Sequence, residues 1–390
     1  MFNLTEIEAI CAVWSYWERA IPRSIPREGV SLPQKLDPAL PLVLQGVRRC
    51  GKSTFLTQLI QKYRIPKEQA LFLNFEDPRI PEPCDHKFLD ACVQFFRKKV
   101  GANKNIYFFF DEIQNVHHWE KWLHSQIERP NRAYYFLSGS NASLLSGELS
   151  TALSGRHWST ELFPFNFSEY QQLTKNRKFE TFLKHGGFPK PLQVADSQLL
   201  LQQYFKDIVE RDIRERVKAR SSLQLARMVK AVFESVGSET SLRRLAAVAD
   251  VAVETVSGYL DACEQAYLIF SVPFFAYSQS KTLQRNKKYY GIDSGLRHSL
   301  SITKAADFGK DFENYVFLQL RKKYKNVFYW KGKHEVDFVV QGDNGPIPIQ
   351  ASIALKPLER HLAGLSEFYE TFPHAQEGIH ITPQNVAEIQ

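Results

Sequence analysis

The chain has few cysteines, and those it has are not arranged for bonding. Cys11, Cys50, Cys84, Cys92 and Cys263 are odd in number and include no CxxC pair. That weighs against a disulfide framework and a thiolate metal centre, and fits a reducing compartment. Long apolar runs are missing too. The strongest, around Ile106–Phe110, is a strand's length, against the ~20 residues a membrane helix needs. Met1–Ile10 carries two glutamates and no basic residue, so it does not read as a signal peptide. A cytoplasmic protein with no membrane partner is expected. There is no internal repeat and no low-complexity tract. Charge of one sign is scarce as well: 50 Lys+Arg against 42 Asp+Glu over 390 residues leave +8, too thin by itself to name a partner. Its position says more. Lys281–Lys331 holds twelve basic and four acidic residues, and the rest of the chain is balanced at 38 of each.

What is present is a folded composition, 24% charged, 44% hydrophobic and 13% aromatic, with length for two to four domains of ~100–200 residues. Ile7, Ile10, Cys11, Trp14 and Trp17 recur at helical spacing, which predicts an amphipathic helix over 4–19. Five prolines between Pro22 and Pro41 then read as a linker. Short apolar runs at 41–45, 70–75, 105–110 and 133–137 alternate with helix-length segments. That is the pattern of a parallel α/β sheet covered on both faces. Residues 168–270 read as helices, interrupted by the turn His185-Gly186-Gly187-Phe188-Pro189. Aromatic and β-branched runs return after Ser271. The expected boundaries are 1–36 for the first helix and linker, 37–167 for the α/β core, 168–220 for a helical lid, 221–295 and 296–390.

The segment Gly46-Val47-Arg48-Arg49-Cys50-Gly51-Lys52-Ser53-Thr54 contains G-x-x-x-x-G-K-[ST] between a strand and a helix. Glycines there let backbone N–H groups curl around a β-phosphate at a helix N-terminus. Lys52 is expected on the β- and γ-phosphates of ATP, and the Ser53 hydroxyl on Mg2+. A buried strand ends in Asp111-Glu112, one carboxylate to share the Mg2+ and one to orient water. Ser140 or Asn141, after the next strand, is the candidate to sense the γ-phosphate, with a turn or helix cap as the alternative. Arg156 is a candidate arginine finger across a subunit interface, or a surface arginine.

These residues, with Asp111-Glu112-Ile113-Gln114, Ser138-Gly139-Ser140, Leu153–Arg156, Leu162-Phe163-Pro164-Phe165, Gly186-Gly187-Phe188-Pro189 and Arg211-Asp212-Ile213, resemble the prokaryotic AAA+-type P-loop ATPases that carry a C-terminal nuclease-like domain of unknown function. The resemblance runs over nearly the whole chain after the linker. It implies ATP and Mg2+, and a homo-oligomer with shared sites, a hexamer or open ring.

Helices predicted over 223–236, 241–248 and from Glu254, followed by strands at 271–275 and 287–292, give the order of a winged helix-turn-helix. Thr255 and Ser257 open its third helix without Arg, Lys, Asn or Gln, so base-specific readout is disfavoured. Lys281, Arg285, Lys287 and Lys288, in an expected wing hairpin, are placed to grip DNA phosphates according to structure rather than sequence. A winged helix that binds protein is the alternative. The last segment looks like a PD-(D/E)XK nuclease core. Glu313, Asp337 and Gln350 occupy the positions that hold Mg2+ in that motif, with Glu335 two residues before Asp337, and Ser352 stands where the motif has lysine. A small α/β domain that binds or assembles rather than cleaves is expected. The leading function is a DNA-acting ATPase; a nucleotide switch on a protein partner and an ATPase-coupled nuclease are the alternatives.

Overall fold

The computed structural model describes residues 3–101, 103–129, 132–140, 155–219, 221–301 and 307–386. They divide into two compact units, Met1–Phe163 and Pro164–Gln390.

The first unit is built on a five-stranded sheet of β1 (Leu42–Gln45), β2 (Ala70–Asn74), β3 (Ile106–Asp111), β4 (Ala133–Gly139) and β5 (Trp158–Glu161), in the order β2-β3-β4-β1-β5. Every pairing is parallel. Helices α1 (Leu4–Trp14), α2 (Lys52–Lys62), α3 (His86–Val100) and α4 (Trp119–Ile127) accompany it. Register stacks aromatic rings across the strands: Phe109 lies 6.3 Å from Phe72 and 4.5 Å from Phe136, centroid to centroid. Such cross-strand pairs reward one register over its neighbours.

The helix predicted over 4–19 stops at Trp14, because the chain turns to cover an open sheet edge. Ser15 Oγ accepts the Phe72 N–H at 3.1 Å and Trp17 Nε1 donates to Ala70 O at 3.1 Å. An unpaired β2 edge would otherwise invite association. The proline-rich segment is irregular, as its sequence requires, but tied down: Gln58 Nε2 donates to Ile25 O at 2.6 Å and Tyr63 Oη to Pro33 O at 2.8 Å. Strand β5 has no apolar run to announce it. Its place comes from pairing, Leu42 beside Trp158 through Gln45 beside Glu161.

The second unit starts with α5 (Phe167–Thr174), α6 (Phe179–His185) and α7 (Ser197–Asp207), followed by a π-helical stretch, Ile208–Arg214. Asn166 and Glu169 cap α5 reciprocally. Next come α8 (Ser222–Glu234), β6 (Glu239–Thr240), α9 (Leu242–Ala249), α10 (Val253–Gln265), β7 (Ile269–Val272), α11 (Gln279–Gln284) and β8 (Lys287–Gly291). The three strands make an antiparallel sheet, β6-β8-β7. Where a wing hairpin was expected, α11 intervenes: Gln, Lys and Leu favour helix over strand there. The chain ends with α12 (Ser294–Leu300), α13 (Phe308–Lys323), β9 (Val327–Lys331), β10 (Glu335–Gly342), β11 (Gly345–Ala351), α14 (Glu359–Thr371) and β12 (Ile379–Ile381). Strands β9, β10 and β11 are antiparallel and β12 joins β11 in parallel.

The Gly186-Gly187 turn has a specific partner. The buried Asp293 carboxylate accepts the Gly187 N–H at 2.6 Å and the Leu296 N–H at 2.7 Å. Gly186 sits at φ 74°, where a Cβ would overlap that carboxylate, and a Cβ on Gly187 would overlap Phe165 O. Burial pushes the Asp293 carboxyl up to about 6, against the pull of the Gly187, Leu296 and Gly295 amides. A carboxyl raised on folding favours the folded state most when it is protonated, so its contribution is full at low pH and lost as pH rises through about 6. The stability of the wild type relative to Asp293→Asn is therefore expected to fall by roughly 2 kcal/mol between pH 4 and pH 7. Gly187→Ala should cost about 2–3 kcal/mol at any pH. Urea titrations across that range measure both.

Candidate active site

The loop Gly46–Ser53 leaves the C-terminal end of β1 and opens α2. Gly46 and Gly51 take φ 153° and 105°, and a Cβ on Gly46 would overlap Leu162 O. Val47 and Cys50 are buried beneath the loop, while Arg49, Ser53 and Thr54 are exposed. Cys50 Sγ donates to Leu162 O at 3.3 Å. From the proline-rich segment, Arg27 donates to Cys50 O at 3.1 Å and Phe163 O at 2.5 Å, bracing the loop from behind. Arg48 pairs with Glu76 at 2.6 Å. The Lys52 side chain is buried. Its Nζ donates to Gly46 O at 3.1 Å and Val47 O at 3.2 Å, and lies 3.5 Å from Glu112 Oε1.

Two carboxylates end β3, and their surroundings drive them apart. Burial and the neighbouring Glu112 push Asp111 up to about 6, against hydrogen bonds from Ser138 and Ser53. Burial pushes Glu112 up too, but Lys52, Gln114 and Arg48 outweigh it and hold Glu112 below its usual range. Gln114 Nε2 donates to Glu112 Oε2 at 2.6 Å. Adjacent acids separated this way suit two roles, one proton-sharing or cation-binding and one ionised base. Among the described residues Asp111 Oδ2 is buried without a hydrogen-bond partner, while the Ser53 hydroxyl reaches the same carboxylate. A hard oxygen pair of this kind fits Mg2+.

Ser140 is buried at the end of β4; Asn141 lies outside the described residues. Arg156 is exposed and 3.2 Å from Glu128. Two residues of this site were missed in the sequence. Ser138 Oγ donates to Asp111 Oδ1 and accepts the Glu112 N–H at 3.2 Å. The pairing of Phe110 with Leu137 puts it there. Only the strand order, β3 beside β4, could have singled it out over Ser140. Arg27 gave no signal at all within its proline-rich surroundings.

In the second unit, Thr255 is half-buried and Ser257 exposed on α10, beside exposed Glu254 and Asp261. Lys281, Arg285 and Lys287 are exposed. Lys288 corrects the expectation of a phosphate-gripping lysine: its side chain has no solvent exposure and pairs with Glu335, and with Glu313 at 3.6 Å. Alternation along β8 turns it inward while Lys287 points out. Asp337 Oδ2 accepts the Ala351 N–H at 2.8 Å. Gln350 Nε2 donates to Glu335 O at 2.8 Å, and among the described residues its buried Oε1 has no partner. Among the described residues no three His, Cys, Asp or Glu side chains are placed to hold a metal ion. No helix among the described residues is long and apolar enough to cross a membrane.

Comparison with known proteins places these features in a family. Residues 39–171 match a family model described as an AAA domain. Residues 176–307 and 308–388 match two models described as domains of unknown function. An uncharacterized protein of Methanocaldococcus jannaschii is 32% identical over 340 residues, covering 80% of this chain and 74% of its own. An uncharacterized protein of Haemophilus influenzae is 30% identical over 333 residues, covering 80% and 82%. Among solved structures, the Thermotoga maritima RuvB Holliday junction branch migration motor matches 63% of this chain and 87% of its own at 16% identity, with a TM-score of 0.32. That likeness is too loose to carry function.

A carboxylate offers a divalent cation its full charge only when ionised, so any Mg2+-dependent nucleotide binding through Asp111 is expected to weaken as pH falls below about 6. Ser138→Ala removes a donor to the charged form and should move that limb to higher pH. Fluorescent-nucleotide titrations between pH 5 and 8, with and without Mg2+, measure the shift.

Proposed function

Since the chain belongs to the family of these archaeal and bacterial relatives, with an AAA domain over residues 39–171, we propose that it is a Mg2+-dependent ATPase of AAA+ type that couples hydrolysis to binding or remodelling of DNA. The observation that carries the ATPase half is the opposed pair Asp111 and Glu112 beside Lys52. Loop amides and the Lys52 ammonium bind the β- and γ-phosphates, with Lys52 exchanging its contacts to Gly46 O and Val47 O for phosphate oxygens. Ser53 and Asp111 would hold Mg2+, which would supply charge neutralisation. Glu112, kept ionised, orients the attacking water. Ser140 or Asn141 is the candidate to sense the γ-phosphate. Arg156, exposed and 3.2 Å from the exposed Glu128, is available to a neighbouring subunit of a homo-oligomer.

Three helices and a small antiparallel sheet over 222–291 support a winged helix. Exposed Glu254 and Asp261 on its third helix oppose insertion into a groove. DNA contact is therefore assigned to phosphates, through Lys281, Arg285 and Lys287, and depends on DNA shape rather than sequence. The same acidic helix face favours a second reading, a nucleotide-gated switch that docks a basic protein surface. The C-terminal α/β domain is read as nuclease-like and non-cleaving. Ser352 gives no cation where the motif has lysine, and Lys356 is exposed in a loop.

Lys52→Ala is expected to lower ATP turnover by about 100-fold or more, and Glu112→Gln to slow hydrolysis while leaving nucleotide bound. Phosphate release and nucleotide filter binding read these. DNA should raise the turnover. Replacing Lys281, Arg285 and Lys287 by alanine should weaken DNA binding evenly across sequences and reduce the log–log salt slope by about two to three. An ATPase indifferent to single-stranded, duplex and branched DNA supports the protein-switch reading instead.

A further inference from the structure

Arg27 reaches the phosphate loop from an irregular, proline-rich segment, yet its approach is fixed on both sides. Gln58, on the helix that the loop opens, donates to Ser24 Oγ at 2.8 Å and to Ile25 O at 2.6 Å. Trp158 Nε1, on β5, donates to Ser31 O at 3.3 Å. Pro26, immediately before Arg27, fixes one backbone torsion. The half-buried side chain then serves two backbone carbonyls from different parts of the chain. Its Nη1 donates to Cys50 O at 3.1 Å and its Nη2 to Phe163 O at 2.5 Å.

We propose that Arg27 is a positioning residue of the nucleotide site: by tying Cys50 O to Phe163 O, it aims the Gly51 N–H at the β-phosphate. The proposal rests on the reading of Gly46–Ser53 as a phosphate loop, and adds to it a residue from outside that loop.

The planar peptide links the two atoms. Cys50 O and the Gly51 N–H belong to one peptide unit and point in opposite directions. A donor that holds the oxygen on one side therefore fixes the hydrogen on the other. Gly51, at φ 105°, lets the Lys52 and Ser53 amides follow in the same curl. The oxygen is held against backbone that is itself anchored. Leu162 N donates to Gln45 O at 2.7 Å, which fastens the 162–163 segment to the end of β1. Cys50 Sγ donates to Leu162 O at 3.3 Å, and a Cβ on Gly46 would lie 2.1 Å from that same oxygen. The loop thus leans on this segment near its start and near its end, and the Arg27 guanidinium joins the two. A planar fork suits the task, because N–H groups fixed in one plane can serve two carbonyls at once, where lysine offers a point charge. Lys52 cannot do the same work: its Nζ must leave Gly46 O and Val47 O to reach phosphate. The Arg27 bonds hold the loop in both states.

The test compares equilibrium binding of ADP and AMP to the full-length chain, because the two ligands differ by the β-phosphate alone. In Arg27→Ala, ADP affinity is expected to fall about tenfold or more while AMP affinity stays within about twofold. A general loss of folded protein would lower both together. Arg27→Lys, which keeps the charge but not the fork, is expected to lose most of the preference for ADP as well. Equal losses for ADP and AMP overturn the proposal, and so does an unchanged ratio in Arg27→Ala. Full retention of the ratio in Arg27→Lys would make the residue a charge on the phosphate rather than a brace, and overturns it too. If Arg27→Ala does not fold, Arg27→Lys decides by the same ratio. A wild type that binds ADP no more tightly than AMP sinks the phosphate-loop reading, and this inference with it. A wild type that prefers ADP, beside an Arg27→Ala variant that prefers it equally, removes only the role of Arg27.

Discussion

Two carboxylates one residue apart at the end of a buried strand repel each other and resist desolvation, and the first unit is arranged around resolving that conflict. Asp111 yields upward and Glu112 is held down, but neither outcome belongs to β3 alone. The Ser138 hydroxyl comes from β4, and Lys52 from the loop after β1. The order β3-β4-β1 is what sets loop, hydroxyl and carboxylates at one edge. The stacked Phe72, Phe109 and Phe136 serve the same end at a distance, because a register slip would carry the acids to the wrong face.

Buried charge organises the second unit too, through different chemistry. Asp293 is satisfied by backbone amides that a Gly-Gly turn lets approach. Lys288 is satisfied by side chains from two other elements. Both interactions join segments far apart in the chain: Asp293 links the start of α12 to the turn after α6, and Lys288 links the β6-β8-β7 sheet to the β9–β12 domain. Removing one partner of such a pair costs more than the pair contributes, because the other is left desolvated. That asymmetry makes these two residues fixed points of the unit.

Legibility in the sequence followed how local each constraint is. The phosphate loop and Asp111-Glu112 are contiguous, so spacing was enough to find them, and the other four strands of that sheet declared themselves by apolar runs. Strand β5 did not, because its pairing with β1 and not its composition makes it a strand. The first helix was read too long because Ser15 and Trp17 are spent on the β2 edge, a tertiary demand that helical periodicity cannot register. Lys288 was misread for a related reason. In a basic segment Lys287 and Lys288 look alike, and only the alternation of β8 and the carboxylates brought by α13 and β10 separate an exposed cation from a buried one.

That separation changes what the localised positive charge can do. Of the basic residues between Lys281 and Lys331, Lys288 is turned inward, Arg297 is bound to the buried Asp311, and Lys331 is paired with Glu239. The exposed cations around α11 remain, as do Lys323 and Lys325, while the third helix exposes Glu254 and Asp261. An anionic polymer approaching this surface would be drawn to Lys281, Arg285 and Lys287 and turned away from Glu254 and Asp261. Such a field orients a backbone without reading its bases. Selectivity must then come from the shape of the polymer, or from a partner that complements the acidic face and the basic segment together.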